Sequence, residues 1–201
     1  MVKRNMNKDS RQQQIINAAR KLIFKYGSGH LTIRNIAKEV GISEAAIYRH
    51  FPSKKSIMSL MADHIADNLL GDIKKAMVIA NSKLETLDLT MRNHFSAIEQ
   101  RRGLSFGVIA EIITLGDKQL NKKVAEIIDN YINTLQDLLS QGVNSGEIRE
   151  DVDLHMAAQL LFGTIQGLVT TWTLSNRNFK LVERYEELWK LFLSVITRQS
   201  A

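Results

Sequence analysis

The stretch VGISEAAIYRHFPSKKSI, Val40 to Ile57, sets a phenol, a guanidinium and an imidazole side by side at Tyr48, Arg49 and His50. Two lysines follow at Lys54 and Lys55. These groups share one chemistry, donation to anionic or base-edge oxygens. Arg49 can fork onto a guanine edge or clamp a phosphate. Tyr48, His50 and the hydroxyls of Thr32 and Ser43 suit phosphate oxygens. Lys54 adds a point charge where a helix would begin, an end that already favours an anion. Glu44 and Ala45 share the outer face, with Ala46 close to it. Short alanines let a backbone approach base edges, and their methyls can meet a thymine methyl. Read singly, Tyr48 could be half-core and His50 a structural hydrogen-bonder; the spacing of the set favours nucleic acid.

Enzyme chemistry has no comparable constellation. The five histidines are scattered with no HExxH spacing, and no G-x-S-x-G elbow, P-loop or dinucleotide fingerprint occurs. Glu186 and Glu187 are adjacent on a helix and diverge. Cysteine is absent, which removes disulfides and thiolate metal sites and fits a cytoplasmic home. The reading is therefore not an enzyme, with no metal and no cofactor.

Charge placement agrees. Residues 1–56 carry 12 Lys/Arg against 3 Asp/Glu, and the remaining 145 carry 15 against 18. A basic quarter on a mildly acidic body suggests a polyanion-binding head, with a solvated basic face as the plainer alternative. No apolar run is long enough to span a bilayer and no secretory signal is visible, so no membrane partner is expected.

The elements that must position these residues read as helices almost throughout. A stripe of Ile15, Ala19, Leu22, Ile23 and Tyr26 predicts a helix over 11–26, ended by Gly27 and Gly29. Thr32 caps a second helix bearing Ile33, Ile36, Ala37 and Val40, which Gly41 stops. Ser43 caps a very short third helix through about His50, and Ile47 and Phe51 face inward from it. The only proline, Pro52, opens a long fourth helix with Ser53. Five more are expected near 83–101, 104–116, 118–141, 153–175 and 180–198, with Gly142 and Gly146 ending one and Asp153 capping the next. The first residues, up to about Asp9, read as a mobile arm. A tight helix pair around Gly41 is a helix-turn-helix, the unit that seats its second helix in the major groove.

At this point residues 11–57, with TIRNIAKEVGISEAAIYRHFPSKKSI at their centre, resemble the DNA-binding domain of the TetR family of bacterial transcriptional regulators. The family usually carries glycine, threonine or serine where Ala46 stands. The resemblance implies that Thr32, Arg34, Ser43, Glu44, Ala45, Ala46, Tyr48, Arg49, His50 and Lys54 occupy positions used on DNA. The implied fold is all-α, about nine helices: a three-helix DNA-binding domain over 1–56, with its helix-turn-helix at 32–50, and a larger effector-binding and dimerisation domain over 57–201.

In the body, Leu154, Ala158, Leu161, Ile165, Leu168 and Trp172 follow 4-3-4-3-4 spacing, and Gly163, Thr164, Gly167 and Thr171 form a small-residue strip. The last helix is apolar around much of its circumference, at Leu181, Tyr185, Leu188, Trp189, Phe192 and Ile196. These patterns suggest a two-fold dimer built from the last two helices, with Leu161, Gly163, Gly167, Leu168, Trp189, Phe192 and Ile196 at its interface. An intramolecular core is the alternative, and the resemblance favours the dimer. In the family the effector sits among the middle helices and moves the fourth. That zone offers Met61, His64, Leu69, Met91, Phe95, Phe106, Ile109, Ile113, Tyr131 and Trp172, each of which could equally be plain core. His94 is a further polar candidate. The expectation is a homodimeric, cytoplasmic and nucleoid-associated repressor that binds a palindromic operator on double-stranded DNA and answers to a small hydrophobic or amphipathic effector. The alternative is a DNA-bound interaction protein without effector, because VGISEAAIYRHFPSK is similar to nucleoid-occlusion members. That likeness is expected to stop at the head.

Overall fold

Nine α-helices and one 3-10 turn, with no strand among the described residues 2–198, make up the chain in a computed structural model. Side chains are described from Arg11 to Arg198, Ser28 excepted; α1 begins at Val2 and not near Arg11, so the backbone is helical over residues expected to form an arm. The helices are α1 Val2–Tyr26, α2 Ile33–Val40, α3 Glu44–Tyr48, α4 Lys54–Ile79, α5 Lys83–Gln100, α6 Leu104–Leu115, α7 Lys118–Asn144, α8 Leu154–Leu174 and α9 Leu181–Ile196. The all-α class and the helix count match the sequence reading. α3 is shorter than expected: Arg49 and His50 form a closing turn in which the His50 and Phe51 N–H groups both donate to the Ile47 carbonyl at 2.9 Å. Pro52 disfavours helical geometry at Phe51, so the helix cannot run on. α7 is longer, passing through Gly142 to Asn144 before Gly146 turns left-handed (φ 78°).

The chain divides into two packed units whose borders do not follow residue 57. One comprises Met1–Ile65 with Arg102–Val124; the other comprises Ala66–Arg101 with Ala125–Ala201. α4 and α7 thus each contribute to both, and α6 belongs with the head.

In the first unit Ile15, Ile16, Ala19, Leu22 and Ile23 of α1 are buried with Leu31, Ile36, Ala37, Ile47, Phe51, Ile57, Met58 and Met61. Tyr26, expected on that stripe, is half exposed and carries Lys25 over its ring. α6 comes so close to α1 that a Cβ at Gly107 would lie 2.7 Å from Ile23 Cγ2. Glycine there is a packing requirement.

In the second unit α5 buries Thr86, Leu87, Thr90, Met91, His94 and Phe95, a stripe repeating at helical spacing. The buried threonines return their hydroxyls to their own helix, Thr86 to the Ser82 carbonyl at 2.8 Å and Thr90 to Thr86 at 2.7 Å. Phe95, Tyr185, Trp189 and Phe192 form a run of rings with centroids 5.1, 6.0 and 5.4 Å apart. Offset aromatic contact of this kind adds to plain area burial.

Glu147, after the end of α7, closes the start of α5. Its carboxylate accepts from the N–H groups of Lys83 (3.1 Å) and Leu84 (3.0 Å) and from the Ser145 hydroxyl (2.7 Å). Burial pushes its pKa up, but the donors from Leu84, Ser145, Ser82 and Lys83 outweigh it and hold the carboxyl at about 2. A depressed folded pKa stabilises the fold above the carboxyl's ordinary 4.5 and ceases to do so as the pH falls toward 2. Glu147→Gln is therefore expected to cost about 1 kcal/mol at pH 7, as a lost cap does. Urea unfolding of both proteins at pH 7, 5 and 3 checks this: the gap must narrow between the last two.

Candidate nucleic-acid interface

Three local devices shape the reading face. Thr32 is the N-cap of α2, its hydroxyl accepting from the Asn35 N–H at 3.1 Å. Gly41 ends α2 in the left-handed region (φ 77°); its N–H donates to Lys38 at 3.3 Å, and the Ile42 N–H donates to Ala37 at 3.0 Å. That pair of bonds is a Schellman motif, and an L side chain at Gly41 would be strained. Ser43 then caps α3, accepting from the Ala46 N–H at 3.2 Å. Ile47 (0% exposed) and Phe51 (4%) seat the short helix in the core, as the sequence predicts.

With those two seated, Ser43, Glu44, Ala45, Tyr48 and Arg49 are exposed, together with Thr32 and Arg34 on α2 and its cap. Ala46 and His50 are half-buried. Arg34 Nε lies 3.5 Å from the Glu44 carboxylate, so these two neutralise one another across the helix pair. The His50 carbonyl accepts from Gln12 Nε2 at 3.3 Å, while the buried His50 Nδ1 has no hydrogen-bond partner among the described residues. Of the ten residues expected on DNA, seven are thus exposed, with Ala46 and His50 half-buried.

Lys54 is the departure. α4 opens with Ser53 and Ser56 exchanging bonds, each hydroxyl accepting the other's N–H at 3.2 Å. This reciprocal cap starts the helix at Lys54. Instead of standing out toward solvent, the Lys54 ammonium pairs with the buried Glu111 carboxylate of α6. Lys55 pairs with Asp117 at 2.9 Å, and its hydrogen bond to that carboxylate holds the Asp117 pKa below the ordinary range. Lys123 reaches back to Asp63 at 2.7 Å and to the Ser59 hydroxyl at 2.8 Å. Sequence reasoning missed Glu111 and Asp117, because nothing local relates residues about 60 positions from their partners.

The ten residues expected around an effector fall into two groups. Met61, His64, Phe106, Ile109 and Ile113 belong to the first unit. There Met61 is buried, His64 Nδ1 lies 2.7 Å from an Arg20 guanidinium nitrogen, and Ile113 is 65% exposed. Leu69, Met91, Phe95, Tyr131 and Trp172 belong to the second unit, where Leu69 is half-buried and the others are core. Trp172 Nε1 donates to the Phe179 carbonyl at 3.0 Å and is held by the turn after α8. The second unit also contains a polar centre that the sequence reading reached through His94 and Tyr131 but not through Asp72. The Tyr131 hydroxyl lies 2.8 Å from His94 Nδ1, and His94 Nε2 lies 3.7 Å from Asp72. Burial lowers the His94 pKa, keeping it neutral, and Nε2 has no hydrogen-bond partner among the described residues.

Four of the seven residues expected at a dimer interface are core residues of the single chain. Leu161, Trp189, Phe192 and Ile196 are at most 7% exposed within a single chain, so they have no surface left to bury. Leu168 is half-buried, while Gly163 and Gly167 are exposed. The apolar residues left outside are Met156, Leu160 and Leu174 on α8 and Leu191 and Val195 on α9. The exposed residues of α8 follow the expected 4-3-4 repeat moved two residues along the helix, through Met156, Leu160, Gly163, Gly167 and Leu174.

The family model described as "Bacterial regulatory proteins, tetR family" matches residues 15–60, and "YsiA-like protein, C-terminal region" matches 63–195. The fatty acid metabolism regulator protein of Bacillus subtilis (strain 168) is 32% identical over 193 residues, 94% of this chain and 97% of that protein. The nucleoid occlusion factor SlmA of Vibrio vulnificus (strain YJ016) is 26% identical over 191 residues, with the same shares of 94% and 97%. That likeness therefore does not stop at the head. A crystal structure of the transcriptional regulator FadR from Bacillus subtilis in complex with stearoyl-CoA superposes with a TM-score of 0.75 at 30% identity, covering 90% of this chain and 97% of that one.

Tyr48 and Arg49 are exposed, so their removal should leave the fold intact. Arg49→Ala and Tyr48→Ala are each expected to weaken specific DNA binding by roughly tenfold, about 1–3 kcal/mol being typical of a base-edge contact. Fluorescence anisotropy measures the loss, and an unchanged melting temperature assigns it to the surface.

Proposed function

We propose, for a chain that belongs to the tetR family of bacterial regulatory proteins and is a DNA-binding transcriptional regulator, the more specific role of a homodimeric repressor released by a long-chain acyl thioester. The observation that carries this reading is the 32% identity to the fatty acid metabolism regulator over 94% of the chain, body as well as head. The stearoyl-CoA bound in the similar FadR structure suggests the class of effector, an amphipathic molecule with a long apolar tail. The chain's own residues are compatible with it. Met91, Phe95 and Tyr131 supply apolar interior in the second unit, and neutral His94 offers a single unpaired ring nitrogen. A few placed polar groups in an apolar lining are what orient such ligands.

In this reading α3, capped by Ser43, enters the major groove, and Thr32, Arg34, Glu44, Ala45, Ala46, Tyr48, Arg49 and His50 face the duplex. Glu44 is suited to a cytosine amino group, and Arg49 to guanine or phosphate. A two-fold dimer presents two such helices to two half-sites, so that each head raises the effective concentration of the other. The dimer surface assigned here is the exposed seam of Met156, Leu160, Gly163, Gly167 and Leu174 with Leu191 and Val195. An added methyl at Gly163 or Gly167 would meet nothing within 4 Å in this chain, which leaves room for a second helix. Such exposed apolar surface on two adjacent helices is suited to an isologous contact.

The second reading, a DNA-bound interaction protein, is favoured by one observation, the 26% identity to SlmA over 94% of the chain. Chromosomal mapping of bound sites separates the two. Sites clustered beside genes of acyl-chain metabolism support the repressor, and sites scattered around the chromosome support the alternative.

The deciding experiment is anisotropy on a palindrome upstream of the chain's own gene, titrated with stearoyl-CoA, free coenzyme A and stearate. Micromolar stearoyl-CoA should release the DNA and coenzyme A alone should not. Retention of DNA in the presence of every acyl species would remove the repressor reading. Leu160→Arg is expected to shift the protein toward monomer in sedimentation and to weaken palindrome binding by roughly 100-fold, the low end of what bivalency supplies.

A further inference from the structure

Lys54 and Lys55 occupy the first turn of α4, which contains no acidic residue. Cations there oppose the helix dipole, so both ammonium groups need an anion from elsewhere. A nucleic-acid backbone is one source, and the chain contains another. Glu111 on α6 is 5% exposed, and a carboxylate at that depth needs a cation beside it. The Lys54 ammonium meets it, leaving the lysine side chain only 26% exposed. Lys54 also lies within the segment whose neighbours Tyr48, Arg49 and His50 form the reading face. A lysine on a flexible four-carbon stem can swing between two anions.

We propose that Glu111 competes with the phosphate backbone for Lys54, so that the pair acts as an intramolecular brake on DNA affinity. With Lys54 on Glu111 each head binds one phosphate contact short. Freeing the lysine restores that contact. The proposal rests on the reading of α3 and its flanks as the DNA surface.

The experiment measures the slope of log affinity against log salt for the full chain on its palindrome. Each phosphate neutralised adds about 0.9 to that slope. Glu111→Gln keeps the side-chain shape but releases the lysine, and should steepen the slope by about 0.9 per head and raise low-salt affinity by roughly threefold or more. The double variant Glu111→Gln/Lys54→Gln replaces the ion pair with two amides and leaves no buried charge unpaired. It should have the slope of the wild type, because the wild-type lysine is not on phosphate. A Glu111→Gln slope equal to wild type overturns the proposal. So does a double variant whose slope falls below wild type, a result that stands even if the single variant fails to fold. Absence of salt-dependent binding by the wild type itself would instead overturn the DNA reading beneath it.

Discussion

Everything on the reading face depends on the burial of two side chains, Ile47 and Phe51. α3 is Glu44–Tyr48, five residues. An isolated helix of that length has no stability in water, since nucleation costs more than one turn returns. It persists because Ile47 and Phe51 enter a core walled by α1, α2 and the start of α4, and because Ser43 and the Gly41 turn fix where the helix begins. Once that seat is taken, the 100° step of the helix sends Glu44, Ala45 and Tyr48 outward without further specification. Recognition chemistry here is a by-product of packing.

The body of the chain follows a different economy of polar groups. Its buried threonines bond to their own helix, the Tyr131 hydroxyl meets His94, and Glu147 caps α5. Each removes a cost that an apolar interior would otherwise impose. His94 Nε2, on a ring that burial keeps neutral and 3.7 Å from Asp72, is one of four buried side-chain atoms without a hydrogen-bond partner among the described residues, with His50 Nδ1, Asn121 Oδ1 and Arg149 Nε. Such atoms are uncommon in folded proteins.

The local signals were readable in the chain. Thr32, Ser43 and Asp153 cap the helices that they were expected to cap, and Gly41 makes its turn. Short side chains that accept from an N–H three residues on need no tertiary help. The interface residues were harder, because α8 and α9 are apolar over most of their circumference. Leu160 and Leu161 are chemically alike and one residue apart, yet one is 53% exposed and the other 2%. A 4-3-4 repeat can be drawn through either. The same limit applied to the middle helices, where Met61 and Met91 looked alike in sequence and belong to different packed units.

What the sequence determined by itself was the all-α class, the order and approximate ends of the helices, and the helix-turn-helix with its outward residues, because each rests on contacts within about four positions. The tertiary structure decided which apolar face of α8 and α9 is core, how the middle residues divide between two units, and where the Lys54 charge is spent. Those outcomes depend on partners far along the chain, 57 positions away for Lys54 and Glu111. Helical periodicity specifies that a face must be covered. Only the fold specifies what covers it.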